Sequence, residues 1–251
     1  MLTDPIFYLA AIPAVLIVGI SKGGFGGGLG FIAVPMIALS APPIVAAAIM
    51  LPILCLMDLV GLLRFKGHVD KQNLLLLIPA AGIGIILGAF SFKYLNDAQI
   101  KLMIGTIALT FVAYSVLKRQ AEARQPSTIR GYFWGTIAGF TSFGVHAGGP
   151  PLNIYLLPLK LHKSTYAATT IVFFAAINYM KLIPYTWLGQ FTQETLLAAL
   201  VLAPLAPVGV YIGTILHHKI SDLWFYRACY FFLVLTGSKL VYDALIEMNL
   251  I

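Results

Sequence analysis

A chain of 251 residues that is 60% hydrophobic and 10% charged, with a mean hydropathy of +0.92, is not a soluble domain, because soluble domains carry about 25% charged residues. The composition predicts an all-α polytopic protein of a cell membrane, with lipid as its surroundings. The net charge of +7 calls for no nucleic-acid partner, since basic loops are what orient a membrane protein.

The opening Met1-Leu-Thr-Asp-Pro5 lacks the basic start of a signal peptide, so no cleavage is expected. Apolar runs then follow at Ile6–Ile20, Phe31–Leu39, Val45–Leu63, Leu74–Phe90 and Leu102–Leu117. Further runs are Tyr132–Thr141, Leu152–Leu159, Ala167–Leu188, Leu196–Leu216 and Trp224–Leu245. A span needs about 20 residues, so Phe31–Leu39, Tyr132–Thr141 and Leu152–Leu159 are too short to cross alone. Cys55 and Cys229 both lie in apolar runs, and no disulfide framework is expected.

The short runs flank two glycine-rich stretches. The first, Gly19–Gly30, has seven glycines in twelve residues and one charge, Lys22; the second is Gly139–Pro151. Each glycine weakens a helix interior by about 1 kcal/mol relative to alanine, so the first stretch should break any helix from Ile6 to Leu39. Sliding the chain by 121 residues aligns Ser21 with Ser142, Gly23 with Gly144, Gly27-Gly28 with Gly148-Gly149 and Ala46-Ala47 with Ala167-Ala168. A slide of 125 aligns Pro79 with Pro204, Gly84 with Gly209, Gly88 with Gly213 and Asp97 with Asp222. The preserved order predicts an internal duplication: residues 1–117, a basic cytoplasmic linker at 118–130, and residues 131–251. Short, glycine- and proline-interrupted segments at matching places in two repeats point to a transporter site.

Loop charge decides how the repeats are related. If each glycine-rich unit crosses once, Arg64, Lys66, Lys71, Lys118, Arg119, Arg124 and Arg130 face one side, with Lys93, Lys160, Lys163 and Lys219 opposite. If each unit is a re-entrant hairpin, all of these except Lys93 share one side, as the positive-inside rule prefers. Three spans and one hairpin per half then make the second repeat inverted, with both termini outside the cytoplasm.

In that arrangement each hairpin brings a broken helix to mid-membrane. The returning half-helices start near Gly28-Leu29 and at Gly149-Pro150. Helix N-termini carry about half a positive charge and free amides, which suit an anion. Candidate substrate ligands are Ser21, Lys22, Gly23, Gly24, Gly26, Gly27 and Gly28 from the first unit, with Ser142, His146, Gly148, Gly149 and Asn153 from the second. The competing reading is that the glycines serve tight helix packing. Lys22 is either an anion ligand or a snorkelling side chain. Asp58 balances Lys22 or carries a proton. Lys181, near Asn178 and Tyr179, occupies the matching part of the second half. His146 couples protons or simply donates a hydrogen bond. His217-His218-Lys219 lacks partner ligands at metal-site spacing, so neither metal nor cofactor is expected. Ser142 and His146 are four apart, but without a Gly-x-Ser-x-Gly elbow or a third member an intramembrane enzyme is disfavoured.

Gly19-Ile-Ser-Lys-Gly-Gly-Phe-Gly-Gly-Gly-Leu-Gly-Phe-Ile-Ala-Val-Pro35, repeated in altered form as Gly139–Pro158, resembles the TauE/SafE family of membrane transporters. The resemblance extends through the duplicated architecture and departs where His146 and Pro150-Pro151 interrupt the second glycine run. It implies export of sulfite, a related sulfur oxyanion or an organosulfonate, and no catalytic residue. The residues alone argue for a small anion, and leave open a carrier or a channel-like pore, and a monomer or a homo-oligomer.

Overall fold

The computed structural model describes residues 4–24, 30–64, 68–92, 94–117, 125–216 and 222–250. They form α1 (Pro5–Gly24), a 3-10 turn (Gly30–Ile32) leading into α2 (Ala33–Ile37), α3 (Pro43–Arg64), α4 (Lys71–Phe92) and α5 (Asp97–Leu117). There follow α6 (Thr128–Val145), α7 (Gly149–Leu156) with a trailing 3-10 turn (Leu157–Leu159), α8 (Lys163–Trp187), α9 (Gln193–Leu202), α10 (Leu205–Leu216) and α11 (Asp222–Glu247). No strand occurs among the described residues.

Local chemistry sets several boundaries. Asn96 and Gln99 cap α5 reciprocally, each side chain accepting the other's amide at 2.9 and 3.1 Å, which satisfies two donors at the helix start. The Thr192 hydroxyl accepts the Thr195 amide at 3.2 Å and starts α9. Pro150 falls in the first turn of α7, where a missing N–H costs least. The apolar run Leu196–Leu216 is one stretch in composition but two helices in space, parted at Ala203-Pro204.

Five helical stretches among the described residues are long and apolar enough to cross a bilayer: Pro5–Gly23, Pro43–Leu63, Lys71–Phe92, Ser164–Trp187 and Gln193–Leu216. The chain is therefore a multi-pass membrane protein. Leu9, Leu63, Leu75, Ile183 and Leu200 point outward, as lipid-facing side chains should. Among the described residues, the runs expected as spans in α5 and α11 fall outside this set; Asp97 and Lys101 lie at the start of α5, and Lys239, Asp243 and Glu247 in the last third of α11.

The helix ends inside the glycine-rich stretch, as expected, but only after α1 has run on past Gly19 through Ser21, Lys22 and Gly23 to Gly24. Packing outweighs propensity there. A Cβ on Gly19 would come within 2.8 Å of the Gly209 α-carbon, and one on Gly23 within 2.1 Å of the Val210 carbonyl oxygen. These glycines let α1 and α10 meet backbone to backbone, as small residues do in membrane helices. At 20 residues, α1 is about 30 Å long, comparable to the thickness of the hydrocarbon core. The second arm is also longer than Tyr132–Thr141, extending over Thr128–Val145.

The most extensive packing joins α4 to α6, α1 to α10 and α5 to α11, with α3 also meeting α8. Close approaches give their directions. Leu16 and Ile20 of α1 meet Gly209 and Gly213 of α10 in ascending order, and Leu76, Gly84 and Gly88 of α4 meet Gly131, Thr136 and Phe143 of α6 likewise, so both pairs run parallel. Lys101 of α5 pairs with Glu247 of α11, while Gly105 meets Gly237 and Val241. That pair is antiparallel. So are α3 and α8, where Cys55, Asp58 and Gly61 meet Tyr179, Asn178 and Ile171.

Candidate functional site

The last turn of α1, the far half of α3, the end of α6, the start of α7 and the second half of α8 bring polar groups together inside the molecule. Lys22 forms an ion pair with the Asp58 carboxylate. The second carboxylate oxygen accepts from Asn178 Nδ2 at 2.6 Å, and Asp58 is only 2% exposed. Such a group needs both partners, because breaking a buried pair leaves an uncompensated charge at a cost of about 3–5 kcal/mol.

A second cluster lies one turn further along α8. Lys181 is fully buried. Its ammonium meets three acceptors: the Ser142 carbonyl at 3.0 Å, the Ser142 hydroxyl at 3.0 Å and His146 Nδ1 at 2.7 Å. Three N–H groups and three acceptors match. His146 Nε2 lies 2.9 Å from the Ala47 carbonyl, so it must carry the proton, and Nδ1 keeps its lone pair for Lys181. His146 is therefore a neutral ring holding α3 and α8 together. Its backbone is left-handed (φ 55°) and caps α6, with its amide bonded to the Ser142 carbonyl. Tyr185 stacks on the ring at 6.3 Å between centroids and donates to the Phe143 carbonyl at 2.6 Å.

Between the clusters is a cavity lined by Lys22, Gly30, Leu54, Ser142, His146, Gly149, Phe174 and Asn178. Four of the residues expected at the site, Lys22, Ser142, His146 and Gly149, thus share one space. Others do not line it. Gly23 presses against α10. Gly24 closes α1. Gly148 precedes α7, where an added Cβ would press on the Ala138 carbonyl oxygen and the Ser142 Cβ. Asn153 accepts from the Tyr166 hydroxyl at 2.5 Å. The Ser21 hydroxyl is buried with no hydrogen-bond partner among the described residues. Gly26, Gly27 and Gly28 lie outside the described residues.

The α7 terminus offers less than expected of a helix start. Pro150 and Pro151 have no N–H, which removes two amides from its first turn. Charge at this site therefore rests on side chains. Asn178 and Tyr185, which the sequence reading left out of the binding set, were within reach of it. They lie three before and four after Lys181 on α8, so all three share one helix face. The Ala47 carbonyl and Phe174 carry no signal in the sequence.

Helices that cross a bilayer and enclose ionisable side chains beside a cavity define a polytopic membrane protein with an intramembrane polar site, where ions or polar substrates pass. The family model for the sulfite exporter TauE/SafE matches residues 11–240. The chain belongs to that family, a family of membrane transporters and not of enzymes. No curated protein and no solved structure matches it.

Proposed function

We propose that this protein carries a small sulfur-containing anion, sulfite, a related oxyanion or an organosulfonate, outward across the membrane by alternating access around the Lys22–His146 cavity. The observation that carries the reading is charge. Lys22 and Lys181 bring two positive charges, Asp58 brings one negative, and neutral His146 brings none. A buried cluster with surplus positive charge attracts an anion, since an uncompensated ion inside a membrane is costly. Lys22 meets the substrate, Asp58 and Asn178 hold Lys22 in place, and Ser142 and His146 hold Lys181. Family membership supports a sulfur anion as cargo.

The packing supports two inverted repeats, α1–α5 and α6–α11. Under the two slides α1 matches α6, α4 matches α9 and α10, and α5 matches α11. A two-fold relation then requires α1–α10 and α6–α4 to be the same contact, as their shared parallel direction agrees. It also requires α5–α11 and α3–α8 to be antiparallel if the repeats are inverted, and they are.

The test is sulfite export from proteoliposomes together with direct anion binding. Lys22→Gln should lower affinity by about 10–100-fold, the worth of a hydrogen bond to a charged group, while the protein remains folded. Unchanged binding in a folded variant would remove Lys22 from the site.

A further inference from the structure

We infer that the site is built for a singly charged anion, and that Asp58 sets this preference. The inference rests on the anion-transport reading and narrows its substrate class. Lys22 lines the cavity, while Asp58, almost fully buried, stands behind it and cancels its charge. Lys181 stands behind Ser142 and His146, which line the same cavity, and has no carboxylate among its contacts with the described residues. The other titratable groups packed here add no charge. Tyr179 donates to the Cys55 carbonyl, Tyr185 to the Phe143 carbonyl, and the Cys55 thiol is buried and free. His146 is neutral by its bonding.

With Lys181 held as an ammonium by its three acceptors, the fixed charge that the described residues bring to the cavity sums to one positive, from two lysines and one carboxylate. A monoanion such as a sulfonate or bisulfite neutralises it. A dianion such as sulfate leaves one negative charge buried beside Asp58, and an unpaired buried charge is strongly disfavoured. Shape does not make this distinction, because methanesulfonate and sulfate are both compact tetrahedral groups. Charge does.

The experiment compares methanesulfonate with sulfate by calorimetric titration of the purified full-length protein. Wild type should bind methanesulfonate roughly tenfold or more tighter than sulfate. Asp58→Asn raises the fixed charge by one, and should move the ratio toward sulfate by roughly tenfold or more. Equal or tighter sulfate binding by wild type, or an unchanged ratio in a folded Asp58→Asn protein, would overturn the inference while leaving anion transport standing. Should that variant not fold, wild type alone decides. As rising pH converts bisulfite to sulfite, the affinity for total sulfite relative to methanesulfonate should fall. A flat or rising ratio overturns the inference. Failure of every anion to bind would overturn the transport reading itself.

Discussion

Lys181 shows how a full positive charge is kept inside an apolar bundle. Its three N–H groups are all spoken for, two by Ser142 and one by His146. Ser142→Ala would remove the hydroxyl and leave one N–H of a buried ammonium without a partner, at a cost of about 1–3 kcal/mol. The expected result is a lower unfolding midpoint with the cavity intact; a variant as stable as wild type would mean the hydroxyl accepts no bond there. The importance of Lys181 was visible in the sequence, because a lysine inside an apolar run stands out. Its partners were only half visible. Ser142 and His146 were marked by the glycine motif, yet their link to Lys181 joins residues 35–39 positions apart, which no helical spacing reveals. The partner of Asn153 was hidden for the same reason: Tyr166 belongs to the next helix.

The two glycine-rich stretches serve helix contact as well as the site. Where α1 crosses α10 and where α4 crosses α6, glycines bring backbones within reach of each other. The slide had aligned Gly84 with Gly209, and each lies at one of these crossings. They are not equally tight. A Cβ on Gly84 would sit 2.0 Å from the Thr136 carbonyl oxygen, against a nearest approach of 3.0 Å to the Gly19 α-carbon for Gly209. Both neighbours are backbone and cannot rotate away. Gly84→Ala should therefore destabilise more than Gly209→Ala, with overpacking costs of roughly 1–3 kcal/mol as the scale. Thermal unfolding of the two variants checks the order, and a reversed order would mean that the α4–α6 crossing yields more easily than its geometry suggests. Propensity foresaw a helix break within Gly19–Gly30, where α1 does end at Gly24, and could not foresee this crossing. Propensity weighs each glycine alone, whereas the close approach depends on α10, nearly 190 residues away in sequence.

At the scale of the molecule, what the loops suggested through charge, the helices support through direction. The positive-inside pattern favours residues 64–71 and 217–219 on the cytoplasmic side together with the 118–130 linker. The antiparallel pairing of α3 with α8 and α5 with α11 is what an in-plane two-fold axis produces; an axis along the membrane normal would make both pairs parallel. Charge on loops and direction of packing are independent observations, since one is read in water and the other inside the bundle. Together they predict that His68, between α3 and α4, faces the cytoplasm and that Gln190, between α8 and α9, faces the opposite side. Single cysteines at these positions, in a protein whose Cys55 and Cys229 have been replaced, should react differently with a membrane-impermeant maleimide on intact cells. Gln190→Cys should label and His68→Cys should label only after the membrane is opened. Labelling of both from outside, or protection of both, would place α3 and α8 in the same direction across the bilayer. Their antiparallel contact forbids that, so such a result would mean the bundle is assembled differently in the membrane.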